Sequence, residues 1–467
     1  MHPRLAADLD RLPSLLDTTV AAAARGLASL EDRPVAVAVP IPALVPVPEH
    51  GIGLGGALTS FAETWEAGLS GSAGPRYLGF VTGGATPASV AGDWLASAYD
   101  QNVAAGGDSL APELQRQTLT WLAELFGIGT AHRGSFVTGA TVSNTVGLAI
   151  AREWIGEQLG ADVSRDGVAA LGPVTVLSGT PHSSIPKAMS VLGLGRDRLQ
   201  RVPTLLGREA VDVVALETAL ASLDGKPAIV VANAGTVNTV DFDDLRAIAA
   251  LRERYPFWLH VDGSFGAFAA LSPEHAHLVD GLDLADSICL DLHKWLNVPY
   301  DAAVQFSRRL DLQTKVFQNT ASYLTVVGDD PDLIHLTPEN SQRFRALPTW
   351  FSLVAYGREG HREIVERDIA LARALGDRID ADQALRLLAP VRLNVVCLTL
   401  AQNPTPERVN ALAAAVAASG EAFLTGTVYD GTPGLRAAFC NWSTSMEDVE
   451  LVHAALAKAA ELCSPVD

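Results

Sequence analysis

Lys294 stands directly after the apolar residues Ile288, Cys289, Leu290 and Leu292, where a buried strand runs out. An ammonium partly withdrawn from water gives up its proton more readily, so the expectation is a lysine with a lowered pKa, and a neutral amine attacks an aldehyde. Thirty-two residues earlier (294 − 262 = 32), Asp262 ends the apolar run FWLHV. A carboxylate buried there stays charged only beside a cation, and a protonated pyridine nitrogen is such a cation. The run FVTG ends at Gly139 and leads into Ala140, Thr141, Val142, Ser143 and Asn144, which open a long helical segment. Free amides at a helix start, small residues and a threonine hydroxyl suit a phosphate. His182 follows PVTVLSG at another strand end. A lysine, a counter-charge for the ring nitrogen, a phosphate cradle and a residue to cover the ring are what pyridoxal phosphate needs to be held as a Schiff base. Taken singly, each has a plainer reading: a strand-capping lysine, an ordinary capped helix, a histidine with its hydrogen bonds satisfied.

These residues need a scaffold, and its pattern is visible from Gly134 to Arg308. Short apolar runs (FVTG, PVTVLSG, RVPTLL, AIVVANAG, FWLHVDG, SICLDL, AAVQF) alternate there with helical segments. Strands separated by helices predict an α/β fold with a mainly parallel seven-stranded sheet, whose ligands bind beyond the carboxyl ends of the strands. Thr236, just past AIVVANAG, falls in such a position. Upstream, Leu5 to Leu30 has an amphipathic helical pattern that wants a partner surface, and a loop with Gly79, Gly83 and Gly84 precedes a helix from about Pro87 and suggests a pocket wall. Downstream, LTVVGDDPDLIHLTPENSQRF is an acidic, proline-broken loop suited to a lid or dimer contact, and a helix is expected from about Trp350 to Leu375. Strand, helix, strand and helix then form a compact α+β unit, with Ser445 or Thr444 near the start of the last helix. The expected division is an N-terminal, dimer-contacting helical segment (1–72), a large domain (73–345) and a small C-terminal domain (346–467). Arg436, in an apolar strand of the small domain, is a candidate carboxylate clamp or a structural ion-pair partner. A metal reading competes, because His260 and Asp262 alternate on one strand and Asp291 and His293 on another. It leaves Lys294, the phosphate-type loop and His182 without a role.

With 34 Lys plus Arg against 53 Asp plus Glu, the net charge of −19 repels nucleic acid and anionic membranes, and neither partner is expected. Cys289, Cys397, Cys440 and Cys463 are far apart and form no C-x-x-C pair, so they read as thiols of a reducing compartment rather than disulfides or zinc ligands. Asp8, Asp10 and Asp17 interrupt any signal-peptide core, and five prolines from Pro34 to Pro48 exclude a spanning helix there. The expected location is the cytoplasm.

With these residues in place, the chain resembles the group II pyridoxal-phosphate-dependent amino-acid decarboxylases, which include the aromatic amino acid, glutamate and cysteine sulfinate enzymes. The likeness runs from about Arg76 to the C-terminus. DLHKWLNVPYD resembles the family's lysine motif, WLHVDGSFG its H-V-D-A-A segment and VTGATVSN its phosphate loop. PHSSIPKA resembles the histidine segment, GTVNTVDFDDL the threonine segment and ENSQRFRALPTW the R-R-F-R-x-L-x-x-W run. The resemblance implies the fold type I, aspartate aminotransferase class of architecture, pyridoxal 5'-phosphate as cofactor, an amino-acid substrate and a homodimer with sites at the interface. It implies Lys294 as the Schiff-base lysine, Asp262 as the partner of the ring nitrogen and His182 stacked on the ring. Gly139, Ala140 and Thr141 would cradle the phosphate, with Thr236, Ser264 and His293 completing the cofactor site. Phe80 and Thr82 would border the substrate; apart from the resemblance, Ser341 and Arg343 are candidates for residues contributed by a partner subunit.

The chain also departs from the family pattern. Gly263 and Ser264 replace paired alanines, and Ala140, Val142 and Ser143 alter the phosphate loop. Many members carry a tyrosine in the mobile loop that protonates the carbanion left after carbon dioxide departs. Here that stretch reads DPDLIHLTPEN, with His335 as the nearby proton donor and Tyr323 lying earlier. Two other outcomes therefore stand beside decarboxylation: a carbonyl product by transamination or oxidative deamination, and a catalytically silent scaffold.

Overall fold

The computed structural model describes residues 1–104, 108–319 and 330–463. The seven apolar runs become strands β1 (Arg133–Val137), β2 (Val176–Ser178), β3 (Leu199–Arg201), β4 (Ala228–Asn233), β5 (Phe257–Asp262), β6 (Ser287–Asp291) and β7 (Ala303–Ser307). They form one sheet in the order β1-β7-β6-β5-β4-β2-β3. Strands β2 to β6 pair in parallel, and β7 runs antiparallel to β6 and β1. Every residue of β4 to β7 is buried, which explains why these runs lack the polar alternation of a sheet with one wet face. Asn233 pairs with Asp262, and Asp262 with Cys289, so the loops leaving β4, β5 and β6 emerge along one edge. The helix Ala140–Leu159 packs over β5, β6 and β7 and begins at that same edge.

A second, antiparallel sheet is built from β8 (Leu385–Leu387), β9 (Val395–Leu400), β10 (Thr425–Tyr429) and β11 (Thr432–Ala438), in the order β10-β11-β9-β8. The helix Met446–Leu462 packs nearby, and Ser445 caps it in a box with Asp448, as the sequence suggests. The chain just before the glycine-bearing loop stitches this unit to the rest. Leu78 N donates to Phe423 O at 2.9 Å, Ala438 N donates to Leu78 O at 2.9 Å, and the Tyr77 ring stacks on Phe423 at 4.8 Å.

Three expectations need revision. The leading amphipathic segment is two helices, Pro3–Asp10 and Leu12–Ala28, because Pro13 sits at the start of a new helix rather than inside one. The helix expected from Trp350 runs over Ala346–Asp380 and breaks at Gly357, whose φ of 58° is open to glycine but not to most side chains. Of the acidic loop before it, the residues from Asp330 onward hold a short turn, Leu333–His335, while Tyr323 lies outside the described residues.

His361, buried on that long helix, has its pKa pushed down by burial to about 4. A folded-state value below the ordinary 6.5 means that the unfolded chain binds more protons between about pH 4 and 6.5. The contribution of His361 is therefore fully present above pH 6.5 and is lost as the pH falls through that window. Urea unfolding of His361→Gln should show a pH profile flatter than wild type by about 3 kcal/mol across it. Parallel profiles would show that His361 does not titrate on unfolding.

Candidate active site

β6 ends at Asp291, and one helical turn, Leu292–Trp295, carries Lys294. Gly83 presses on this turn: a Cβ there would stand 1.8 Å from the Lys294 carbonyl oxygen, so only glycine admits the contact. Asn297 ties the two segments together, donating from Nδ2 to Gly83 O at 2.6 Å and to Cys440 O at 2.7 Å. The glycine-bearing loop is thus a wall of the lysine pocket, as its composition suggests.

Lys294 Nζ lies 3.1 Å from Asp291 Oδ2 and 5.5 Å from the centre of the Phe265 ring. Its pKa is raised, which reverses the sequence expectation. Burial by itself pushes the ammonium down, but the charges of Asp291 and Asp262 outweigh it. The chain pattern exposes the desolvation but not the two carboxylates that folding brings to the amine.

Asp262 is buried at the end of β5. Its Oδ1 accepts from Ser264 Oγ at 2.5 Å and Ser264 N at 3.2 Å, and its Oδ2 accepts from Asn144 Nδ2 at 2.9 Å. Burial is the largest influence and pushes the carboxyl up, yet His182, Ser264, Lys294 and Asn144 together hold it below its ordinary value. His182 has Nδ1 taken by Ser184, whose amide donates at 3.2 Å and whose Oγ lies 2.8 Å away. Burial, its main influence, keeps this imidazole below its ordinary pKa and hence neutral at pH 7.

Lys294, Asp262, His182, Ser264, Phe80 and Arg436 face one cavity of about 110 Å³. The helix start lies beside it. A Cβ on Gly139 would touch the His293 ring at 3.5 Å, and Cys289 Sγ lies 3.7 Å from both Ala140 O and Ser264 Oγ. The amides of Ala140 and Thr141 have no acceptor among the described residues, and no side chain caps this helix. His293 Nδ1 lies 3.2 Å from Asp291 Oδ1.

Other expected residues lie elsewhere. The Thr236 hydroxyl does not line the ring cavity. It donates to Glu209 Oε2 at 2.6 Å, because Glu209, also held by Asn238 and Thr239, sits under this loop. Thr82 is buried, its hydroxyl 3.5 Å from Gly79 O, and is not among the residues that line the cavity, whereas Phe80 and Val81 are. His335 is buried in its short turn with Nδ1 accepting from Asn319 N at 3.0 Å, and it too is absent from that wall. Arg343 is engaged within its own chain, by Asp93 at 2.5 Å and Ser97 at 3.1 Å. The metal reading has no geometry behind it: among the described residues no three His, Cys, Asp or Glu side chains converge.

Among the described residues Arg436 has no ion-pair partner. Its Nη1 donates to Val237 O and its Nη2 to Thr425 Oγ1 at 3.3 Å, while Nε is buried without a partner. Glu209, which stands beside no recognisable catalytic residue in the chain, holds the loop of Thr236, Asn238 and Thr239, and His260, which the sequence offers only as a candidate metal ligand, lies 2.8 Å from Asn144 Oδ1 behind Asp262.

Residues 58–401 match the model of the pyridoxal-dependent decarboxylase conserved domain. The chain belongs to this family. Over 333 residues it is 30% identical to an aromatic-L-amino-acid decarboxylase of Bacillus atrophaeus, covering 69% of this chain and 66% of the relative. Over 312 residues it is 30% identical to an L-2,4-diaminobutyrate decarboxylase of Acinetobacter baumannii, covering 63% of this chain and 61% of the relative. The chain therefore spans just under two thirds of the length of these two relatives. A crystal structure of Oryza sativa TDC with PLP and tryptamine superposes with a TM-score of 0.89 at 24% identity, over 97% of this chain and 98% of that one. This is a likeness of fold, and it is the fold type I architecture implied by the motifs.

Pyridoxal phosphate is the cofactor of the family, and the residues of this member fit it. A buried carboxylate held ionised with no cation in ion-pair reach among the described residues, Asp262, suits a protonated ring nitrogen. The two free amides after Gly139 suit a phosphate. Among the described residues of this family member, no helix is long and apolar enough to cross a membrane.

Proposed function

We propose that this chain removes the α-carboxylate of an L-amino acid, yielding the amine and carbon dioxide, with Lys294 holding the cofactor. The reading rests on Lys294, Asp262 and His182 facing one cavity in a chain of this family. Bound pyridoxal phosphate supplies an aldehyde that condenses with amines and a protonated ring that takes up the electron pair released with carbon dioxide. The rest is orientation and proton control by the protein. Lys294 Nζ is the amine that would hold the aldehyde, and Asp291 Oδ2, 3.1 Å away, would orient it. Asp262 keeps the ring nitrogen protonated by its charge. His182 covers one face of the ring as a neutral imidazole, and Gly139, Ala140 and Thr141 bind the phosphate.

Arg436 orients the substrate carboxylate within this reading, because it is the arginine among the residues that line the cavity and its guanidinium carries a charge there. A charge-assisted hydrogen bond contributes roughly 1.5–3 kcal/mol, so Arg436→Met should raise KM on the order of 10- to 100-fold. A KM within about twofold of wild type in steady-state assays would remove Arg436 from this role.

The same proposal includes a cytoplasmic homodimer organised as 1–72, 73–345 and 346–467. It is supported by exposed apolar residues near the N-terminus: Leu5, Leu9 and Leu16 are 50–63% exposed, and Ile41, Leu44, Val45 and Val47 are 82–99% exposed. The free state of Cys289, Cys397, Cys440 and Cys463 fits a reducing compartment.

The deciding experiment is an absorption titration of the purified protein with pyridoxal phosphate, followed by a panel of L-amino acids with product detection. A cofactor band that one amino acid shifts, with amine and carbon dioxide as products, is the expected result. A carbonyl product instead would overturn decarboxylation while leaving the cofactor site standing.

A further inference from the structure

Behind the cavity lies a run of buried polar groups that the mechanism above leaves unused. Trp258 Nε1 donates to Ser287 Oγ at 2.9 Å, and Ser287 Oγ lies 2.8 Å from His260 Nδ1. His260 Nε2 lies 2.8 Å from Asn144 Oδ1. Asn144 Nδ2 then donates twice, to Asp262 Oδ2 and to Ser184 Oγ, each at 2.9 Å. Ser184 Oγ lies 2.8 Å from His182 Nδ1.

The direction of every bond follows from the groups at the ends. An indole N–H only donates, and an ionised carboxylate only accepts. Since Asp262 accepts only, the Asn144 atom facing it is the amide nitrogen, and Oδ1 faces His260. Since Asn144 Oδ1 only accepts, His260 Nε2 carries the proton, and in a neutral ring Nδ1 is then the acceptor that takes the Ser287 proton. The amide of Ser184 donates to His182 Nδ1 at 3.2 Å, which makes Nδ1 an acceptor, so Ser184 Oγ passes its own proton to Nδ1 as well. All members from Trp258 to Asp262 and Ser184 are buried, so water cannot substitute for a missing link. Burial pushes His260 down to about 4, which agrees with a neutral ring. The packing of the site also leaves this ring no spare room: a Cβ on Gly147 would stand 2.6 Å from His260 Cε1 and 2.7 Å from Nδ1.

We propose that His260 and Asn144 are positioning residues, which fix Asp262 in place and hold His182 with its proton on Nε2, facing away from Ser184. Asn144 is the branch point, orienting the counter-charge of the ring nitrogen and the imidazole that covers the ring from a single side chain. The inference rests on the cofactor site of the proposed reading and adds two residues that touch neither cofactor nor substrate.

The test uses the full-length chain with histidine labelled by nitrogen-15, loaded with pyridoxal phosphate. In wild type at pH 7, the nitrogen shifts of His260 and His182, assigned with single-histidine variants, should both report neutral rings protonated on Nε2. A His182 ring protonated on Nδ1 would overturn the proposal without any variant having to fold. Two variants then divide positioning from mere packing. His260→Phe fills the space without a donor, and it should weaken pyridoxal phosphate binding at least tenfold and blur His182 into mixed tautomers. His260→Gln retains an N–H for Asn144 Oδ1 and should bind cofactor within about threefold of wild type. If both variants lose stability equally yet bind cofactor like wild type, His260 is packing alone and the proposal fails. If His260→Phe does not fold, Gly147→Ala, which displaces the same ring from the helix side, serves in its place with the same expected loss. Failure of wild type itself to bind pyridoxal phosphate sinks the underlying site reading instead, so the two failures are distinguishable.

Discussion

Lys294→Ala should lose turnover by a factor on the order of 10³ or more and lose the absorption band of covalently held cofactor, while still binding pyridoxal phosphate non-covalently. The amine at 294 is the group that bonds the aldehyde, and among the described residues no other lysine lines the cavity. The variant should stay folded. Lys294 pairs with Asp291 at 3.1 Å, and the alanine form leaves that carboxylate with His293 Nδ1 at 3.2 Å. Denaturation and spectral titration of the same preparation separate the two effects. A variant with wild-type turnover and an unchanged band would sink the assignment of Lys294, and with it the proposed reaction.

The second large effect is expected at Asp262. Asp262→Asn keeps the shape but removes the charge that holds a proton on the ring nitrogen, so turnover should fall on the order of 10²- to 10⁴-fold. The neighbours make this substitution sharper than its size suggests. Asn144 Nδ2 and Ser264 Oγ both donate to position 262, and an amide there must turn one N–H toward a donor. Asp262→Glu retains charge at the wrong distance and should be intermediate. Reconstitution of Asp262→Asn with a cofactor analogue carrying a methyl group on the ring nitrogen supplies a fixed positive ring, and a partial return of activity is the expected outcome. No return, with analogue binding verified by its spectrum, would show that Asp262 acts by holding the cofactor in place rather than by its charge.

The chain by itself determined the α/β class, the seven strands and the strand-end positions of Lys294, Asp262, His182 and the Gly139 helix start. The physical reason is local. A strand buried on both faces must be a continuous apolar run, and a residue with chemistry to do at its end breaks that run visibly. β5 and β6 are buried throughout and end at Asp262 and Asp291. Motif order then pointed to the family that the match over residues 58–401 establishes.

What the chain could not supply were the long-range neighbours. The raised pKa of Lys294 depends on Asp291 and Asp262 converging on one amine, and a sequence displays desolvation but not convergence. Thr236 looked like a ring-lining hydroxyl until folding brought Glu209, 27 residues earlier, within 2.6 Å of it. His335 is near the right motif in sequence but buried away from the cavity, because its turn packs with Asn319. Asn144 and His260 lie 116 residues apart and meet only because the helix after β1 lies across β5. Hydrogen bonds are short and directional, so which polar groups share one is decided by tertiary packing, whereas burial is a bulk property that the spacing of apolar residues already encodes.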